Sequence, residues 1–599
     1  MKKVPWSIST TVRNPERLRN FLRVLKQLEG SDFNRENQIK YQVLLIKERL
    51  YRPTKIPSAY RTLIDDITKD ISYDEAKDIF DAQHYEDPPM RGRQSVNPLN
   101  KLGFSIAKDT VGAVKITNLG NLFISSDPDI GYIFFKSLLK LQFPNPWSDD
   151  FTKKRGFNVR PFIAVLHLIN KTKKLSREEF SIFCPTLIHF KDISKYAKYV
   201  VQLRSIKSKS EKDRFINTFL KESYGTKSIS RIRIANLFDY GDNTMRYFRL
   251  TRYFRVTKQP LGRWVIELEP ARMKEIEQLL ALYDGSALEF KSVDEYIDYL
   301  SDINRPELPW EFDYDKSKDV ALSLIDIIKK DFDSLADTLK AKVTDAYESI
   351  ISVDLNILDL KGLKSLIDKL RNLRSEINQI KRNSVLTKNI NKLKEILAIF
   401  KDKKRFRELE PVEFEHIISQ CLKIINDELH IKPNCILDDD GNPIGFAPGN
   451  KADIEGYYES FNSIFEATLD VSRHQVYRES VPVMRHLKDF ESANVGKPAF
   501  CVFVAPRVHN DTVNYFWISV KHGFEGKKQS IVALDLAHFL EILEFFIEVA
   551  EKKIKFTHHT LRMLLERIVS NAATTDSSTN WFRDISQQIK DWQRSIIGK

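Results

Sequence analysis

The stretch "GNKADIEGYYESFNSIFEATLD", residues 449–470, decides how the C-terminal part of the chain is read. Its hydrophobic pattern is that of two short strands. Asp453 falls at the end of one strand and Glu466, thirteen residues on, within the next; Glu479 lies thirteen further. In "SIFEATL" the two-residue period of a strand puts Ile464, Glu466 and Thr468 on one face. Glu466 therefore sits in apolar company, with Ile464, Phe465, Ala467 and Leu469 around it. A carboxylate in such surroundings is costly unless it is paired or bound to a cation. Magnesium takes hard oxygen ligands and keeps several waters, so one or two carboxylates and a phosphate oxygen suffice for it. Metal-assisted hydrolysis of a phosphodiester is thus one reading of these acids. Spacing alone would equally suit surface charges.

The segments around this stretch extend the pattern. "AFCVFVAP" (499–506) is a short, nearly continuous apolar run, as a strand buried on both faces requires. "SIVALDLAHFLEILEFFIEVAEKK" reads as strand then helix. Glu410–Leu429 reads as a helix with Phe414, Ile417, Cys421, Ile424 and Ile425 inward. Strands covered by helices make a compact α/β layer. Before it, residues 317–405 carry apolar stripes of helical spacing. Leu363, Leu366, Leu370, Leu373, Ile377 and Ile380 step by three and four, which predicts a helical spacer.

The first half of the chain has a different charge. Residues 1–300 hold 52 Lys and Arg against 36 Asp and Glu, a net +16. Residues 301–599 hold 43 against 46, a net −3. Residues 151–250 alone reach 22 against 8. A basic region beside a near-neutral one suits a polyanion-binding module joined to something else, though a basic solvated face has the same composition.

Within this region, "RGRQSVNPLNKLGFSIAKDTVGAVKITNLG" reads as helix, strand, turn, strand, with Thr117 capping a further helix; the order resembles a winged-helix fragment. The "RGRQ...NK" segment makes Arg91, Arg93 and Lys101 candidates for DNA contact, with a solvated loop as the alternative. "NPERLRNFLRVLKQLEG" predicts a helix capped by Asn14. Farther on, Ser176 and Glu179 form a capping box. Ile229–Phe238 reads as a helix, "DYGD" as a turn, and Thr244–Tyr253 as a second helix capped by Asn243. Two strands, Arg255–Lys258 and Arg263–Leu268, would make a wing. Arg246, Arg249 and Arg252 then share one face of the second helix, where guanidinium groups can read guanine or hold phosphate.

Other classes are disfavoured by composition. At 599 residues, with 42% hydrophobic and 11% aromatic content, several cored domains are expected. No apolar run approaches the length of a membrane span, and the N-terminus lacks a secretion signal's apolar core, so a cytoplasmic protein without membrane partners is expected. Cys184, Cys421, Cys435 and Cys501 are too scattered for a disulfide framework or a zinc site. His558 and His559, adjacent on a helix, read as surface residues.

Several segments together carry a family resemblance. They are "W-S-x-S-T-T-V-R-N-P-E" at the start, "NPLNKLGF", "TxRYFR", "PGNKADIEGYYESFNSIFEAT" and "ESVPVMRH". The chain resembles the AlwI type IIS restriction endonucleases nearly end to end, with nicking endonucleases of the BstNBI type as relatives. The resemblance implies a multidomain α+β enzyme. Winged-helix subdomains (about 1–150 and 151–300) would recognise a short asymmetric duplex site. A helical linker (301–405) would lead to a nuclease domain (406–599) of the PD-(D/E)xK kind. It also implies Asp453 and Glu466 as metal ligands and Glu479 and Glu415 as further catalytic acids. One or two Mg2+ ions, replaceable by Mn2+, would serve each site. Double-strand cleavage would need a transient homodimer or a small catalytic partner subunit; strand-specific nicking is the alternative, and a non-catalytic DNA-binding regulator a further one. Two positions depart from the motif: Ala452 replaces its proline and Thr468 its lysine, which leaves open the group that activates water.

Overall fold

The computed structural model describes residues 4–598 apart from 11, 66–70, 126–127, 149, 260–262, 387, 408, 426–429, 438–442, 446, 448–450 and 472–474. The chain divides into two compact units. The first comprises residues 1–56 and 72–377, the second 57–71 and 378–599, and the division falls inside the Leu360–Leu386 helix.

The first unit is mostly helical. Near its start a 3-10 turn, Pro15–Arg17, leads into the Leu18–Lys26 helix, and the Asn14 side chain makes no capping hydrogen bond, contrary to expectation. The Pro88–Lys101 helix is followed by the paired strands Ser105–Ile106 and Lys115–Ile116. Thr117 then caps the Asn118–Phe123 helix by accepting from the Gly120 N–H. The Ser176 capping box forms as expected and opens the Arg177–Phe183 helix.

The largest departure lies at "DYGDN". No turn forms there. A single helix runs from Arg231 to Leu250. Gly241 is needed for contact instead of for bending: a Cβ there would come within 2.5 Å of the Ser181 Cα on the neighbouring Arg177–Phe183 helix. Asn243 does not cap. It is buried, and its amide donates to the Ser9 and Val12 carbonyls, tying down the N-terminal segment. The expected strand pair forms as Phe254–Gln259 with Arg263–Leu268, and Lys174–Ser176 adds a third strand against the latter. In the spacer region the stripe Leu363, Leu366, Leu370, Leu373 and Ile377 is buried, as its spacing predicts.

The second unit is a helix-covered mixed sheet. The elements that build the sheet and its cover are α1 (Pro411–Ile424), β1 (His430–Pro433), β2 (Ile454–Tyr457), β3 (Asn462–Ala467), α2 (Val481–Ala493), β4 (Ala499–Ala505), α3 (Asn510–Lys521), β5 (Ile531–Asp535), α4 (Leu536–Glu551), α5 (His558–Thr574) and α6 (Ser578–Ile597), with the Ile390–Lys401 helix packed before them. The strand order is β5-β4-β3-β2-β1. β3, β4 and β5 are parallel, whereas β2 runs antiparallel to both its neighbours. Every residue of β3 and β4 is buried, which explains why β4 reads as a continuous apolar run. One hydrophobic core reaches from Leu393 through the sheet to Trp592.

Candidate active site

The β2–β3 hairpin explains the thirteen-residue spacing. Its register pairs Tyr457 with Asn462 and Ile454 with Phe465. One step farther along the same ladder sets Asp453 opposite Glu466. Residues directly opposite in an antiparallel pair point to the same face of the sheet. A hydrogen bond fixes the arrangement: the Ala467 N–H donates to Asp453 Oδ2 at 2.8 Å. On the other side, the Asn434 N–H donates to the Asp453 carbonyl, and the Asn434 amide donates to that of Ala452.

Two further acids complete the cluster. Glu415 projects from the buried face of α1 between Phe414 and Ile418, and its Oε2 is buried with no hydrogen-bond partner. Glu479 lies in a π-helical turn, Val476–Ser480, immediately before α2. Such widened turns are rare and concentrate at functional sites. The Thr468 hydroxyl, at the position of the motif lysine, donates to the Glu479 carboxylate. The buried Gln475 holds this corner by donating to the Asp470 and Arg507 carbonyls and accepting from the His509 N–H. Histidine 486, on α2, places Nδ1 at 2.7 Å from Glu466 Oε1. Arg485 beside it is exposed.

The electrostatics follow from this geometry. Burial, then repulsion from Asp453, Glu466 and Glu479, pushes the Glu415 carboxyl up to about 10. Burial and Glu466 raise Asp453 well above the carboxylate range, opposed by the Ala467 N–H. Burial and Glu479 do the same to Glu466. Glu479 is raised by burial and lowered again by the Thr468 hydroxyl. Desolvation is the largest cause at each, and the carboxylates aggravate one another. Among the described residues, no three of the four bring oxygens within 4.8 Å of one another. A donor set made only of carboxylate oxygens, one of them buried without a partner, fits a hard divalent cation such as Mg2+ or Mn2+.

The arginines and lysine expected to touch DNA are placed differently. Lys101 is not on a loop and not at the surface. It ends the Pro88–Lys101 helix, is 4% exposed, and its Nζ donates to the Ser7 carbonyl at 2.9 Å above the rings of Phe143 and Phe151. Arg91 and Arg93 are helical and half-buried; Arg91 stacks on Tyr85, and Arg93 bonds Gln38 and Asp87. Arg246, Arg249 and Arg252 do not share an open face. Arg246 pairs with Asp242 at 3.1 Å, Arg249 is half-buried, and Arg252 lies beyond the helix end at φ +64°, 3.9 Å from Asp129. The cause is packing: this half of the helix buries Met245, Tyr247, Phe248 and Leu250. The open half is the N-terminal one, where Arg231, Ile232, Ala235 and Asn236 are exposed. A reading that breaks the helix at Gly241 hides this.

The profile of the AlwI restriction endonuclease family matches residues 100–542. The chain belongs to that family, and so to the site-specific nucleases that restrict DNA. No curated protein sequence matches it. Among solved structures, the small subunit R.BspD6I2 of the heterodimeric restriction endonuclease R.BspD6I aligns at 18% identity. That alignment covers 34% of this chain and 99% of that one, with a TM-score of 0.27. Restriction endonuclease FokI aligns at 10% identity over 94% of this chain and 99% of that one, TM-score 0.23. FokI bound to DNA aligns at 11% identity, 94% and 98%, TM-score 0.20. TM-scores of this size do not establish a shared fold.

Proposed function

We propose that the protein is a type IIS restriction endonuclease: it binds a short asymmetric duplex site and hydrolyses phosphodiesters a few nucleotides outside it, using Mg2+. The observation that carries this is the same-face pairing of Asp453 with Glu466, with Glu415 and Glu479 added to a buried cluster in which repulsion between carboxylates adds to the cost of burial. Asp453 and Glu466 would hold the ion, with Glu415 and Glu479 as the further acids of the cluster. When bound, the ion polarises the scissile phosphoryl group and eases the charge on the leaving oxygen. The chain's own groups do the rest. Glu479, turned by the Thr468 hydroxyl and raised by burial, accepts the proton of the attacking water in place of the motif lysine. His486 fixes the orientation of Glu466.

Residues 1–300 serve recognition, 301–405 form the linker, and 406–599 the PD-(D/E)xK nuclease domain. In the region 151–300 a helix (Pro161–Thr172), a strand (Lys174–Ser176), four helices (Arg177–Phe183, Ile193–Ser205, Lys209–Tyr224 and Arg231–Leu250) and a two-stranded wing follow in order, with the first strand beside the last, which supports the reading of a winged helix with two inserted helices. The Arg231–Leu250 helix is then the one that enters the major groove, by its open N-terminal half. Arg231 and Arg233 are its candidates for guanine contact and Ile232 for a thymine methyl. One carboxylate set per chain cuts one strand, so double-strand cleavage requires a second copy or a smaller catalytic subunit; a chain acting alone nicks.

The test is incubation of supercoiled plasmid with purified protein and Mg2+, followed by sequencing of the ends. Defined ends at a constant distance from one short sequence, absent with Asp453→Asn, are expected. Site-specific binding without any cleavage in Mg2+ or Mn2+ would leave a DNA-binding regulator instead. Arg233→Ala should weaken specific binding by about 1–3 kcal/mol while leaving non-specific binding nearly intact.

A further inference from the structure

At the tip of the β2–β3 hairpin, away from Asp453 and Glu466, lies a second group of metal-ligating side chains. Among the described residues, only Glu459, His558 and His559 offer three ligand atoms that all lie within 4.8 Å of one another. We propose that they form a binding site for a transition-metal dication of the Zn2+ class, distinct from the carboxylate cluster.

Glu459 belongs to the turn between Tyr458 and Phe461, which the Tyr458 N–H closes onto the Phe461 carbonyl at 2.9 Å. The two rings stack at 4.2 Å across the turn. His558 and His559 are the first residues of α5, with ring centroids 4.1 Å apart. His558 Nε2 lies 3.8 Å from Glu459 Oε2. Two ligands at the usual zinc distance of about 2.1 Å subtend at most roughly 4.2 Å, so this pair already spans one ion.

The two elements are also joined independently. Arg562, one turn along α5 from His558, donates from Nη1 to the Ser460 carbonyl at 2.9 Å. His559 Nδ1 lies 3.5 Å from Ser460 Oγ. The ligand spacing is therefore held by contacts that do not involve the ligands alone. Against the site stands the positive end of the α5 dipole, worth about 0.3–1 kcal/mol at an exposed terminus. The Glu459 carboxylate offsets it.

Donor chemistry separates the two sites. Two imidazoles and a carboxylate suit Zn2+, Co2+, Ni2+ or Cu2+, whereas an all-carboxylate set suits Mg2+ or Mn2+. Three protein ligands leave the remaining positions to water, so the ion would act as a clasp between the hairpin and α5, and not as a buried structural centre.

The test titrates tag-free, full-length protein with Co2+ in excess Mg2+, followed by visible absorption and calorimetry. One Co2+ per chain is expected, displaceable by Zn2+, with affinity unchanged in Glu466→Gln. Removing a partner of a ligand already costs about 10–100-fold in affinity, so His558→Ala should weaken binding at least tenfold. His559→Gln and Glu459→Gln should weaken it similarly. Zn2+ should raise the unfolding temperature of the wild-type chain and not of His558→Ala. Absence of stoichiometric binding, or binding that survives the paired His558→Ala and His559→Ala changes, overturns the proposal. Neither result bears on DNA cleavage, which is read separately in Mg2+.

Discussion

Both units bury charge, and they treat it in opposite ways. In the first unit Lys101, Lys136 and Lys140 are almost wholly enclosed, and each ammonium donates to a main-chain carbonyl: that of Ser7, Pro306 and Asp302 respectively. Burial lowers Lys101 and Lys140 to about 7. In the second unit Glu415, Asp453, Glu466 and Glu479 are buried together, and repulsion among them adds to the cost of burial at Glu415, Asp453 and Glu466. A buried charge with a neutral partner on its own chain holds segments together. Buried like charges that aggravate one another mark a candidate functional site.

This contrast can be broken experimentally, most forcefully at Glu466. Glu466→Gln should lower plasmid cleavage by about a thousandfold or more, while raising the stability of the Mg2+-free protein by about 1–2 kcal/mol, because one repelling charge is gone. Loss of both activity and stability would make Glu466 structural. Next, Mg2+ should protect the second unit from unfolding by about 2.7 kcal/mol at a hundred times its Kd, an effect absent in Asp453→Asn. Differential scanning calorimetry reads both.

A smaller effect concerns pH. Unfolded lysine titrates near 10.4, whereas folded Lys101 and Lys140 titrate at about 7. Between these values the unfolded chain holds protons that the folded chain has released, so stability rises with pH. The full burial cost is felt below pH 7. The first unit should become more stable from pH 7 to pH 9, and Lys101→Met should flatten that slope. The smallest expected change is in DNA affinity: Lys101→Met should leave it within about twofold, since an ammonium bonded to Ser7 inside the unit neutralises no phosphate.

The sequence was most legible where local chemistry and the global fold agree. The Thr117 cap, the Ser176 box and the buried stripe from Leu363 to Ile377 each follow from a period or a local motif, whereas the spacing of Asp453 and Glu466 suited surface charges as well and takes its meaning only from the hairpin register. It was least legible where a residue's usual role was displaced by its neighbours. Gly241 followed by Asp242 and Asn243 reads as a turn, yet the glycine is there for Ser181 and the asparagine for Ser9 and Val12, contacts more than fifty residues away. Lysine reads as surface, yet Lys101 is enclosed. The His486 contact with Glu466 had no local signal, because α2 and β3 meet only through tertiary packing.

The widened turn at Val476–Ser480 has a bearing on how such an enzyme could change over time. A helix with one surplus residue in a single turn presents Glu479 by register and not by reach. Loss of one codon there would restore regular winding, which backbone hydrogen bonding favours, and would swing the carboxylate about 100° around the axis. The sheet and its core would survive. A lineage could therefore pass from cutter to silent binder, and back, by indels of three nucleotides, with every ligand of the cluster still encoded.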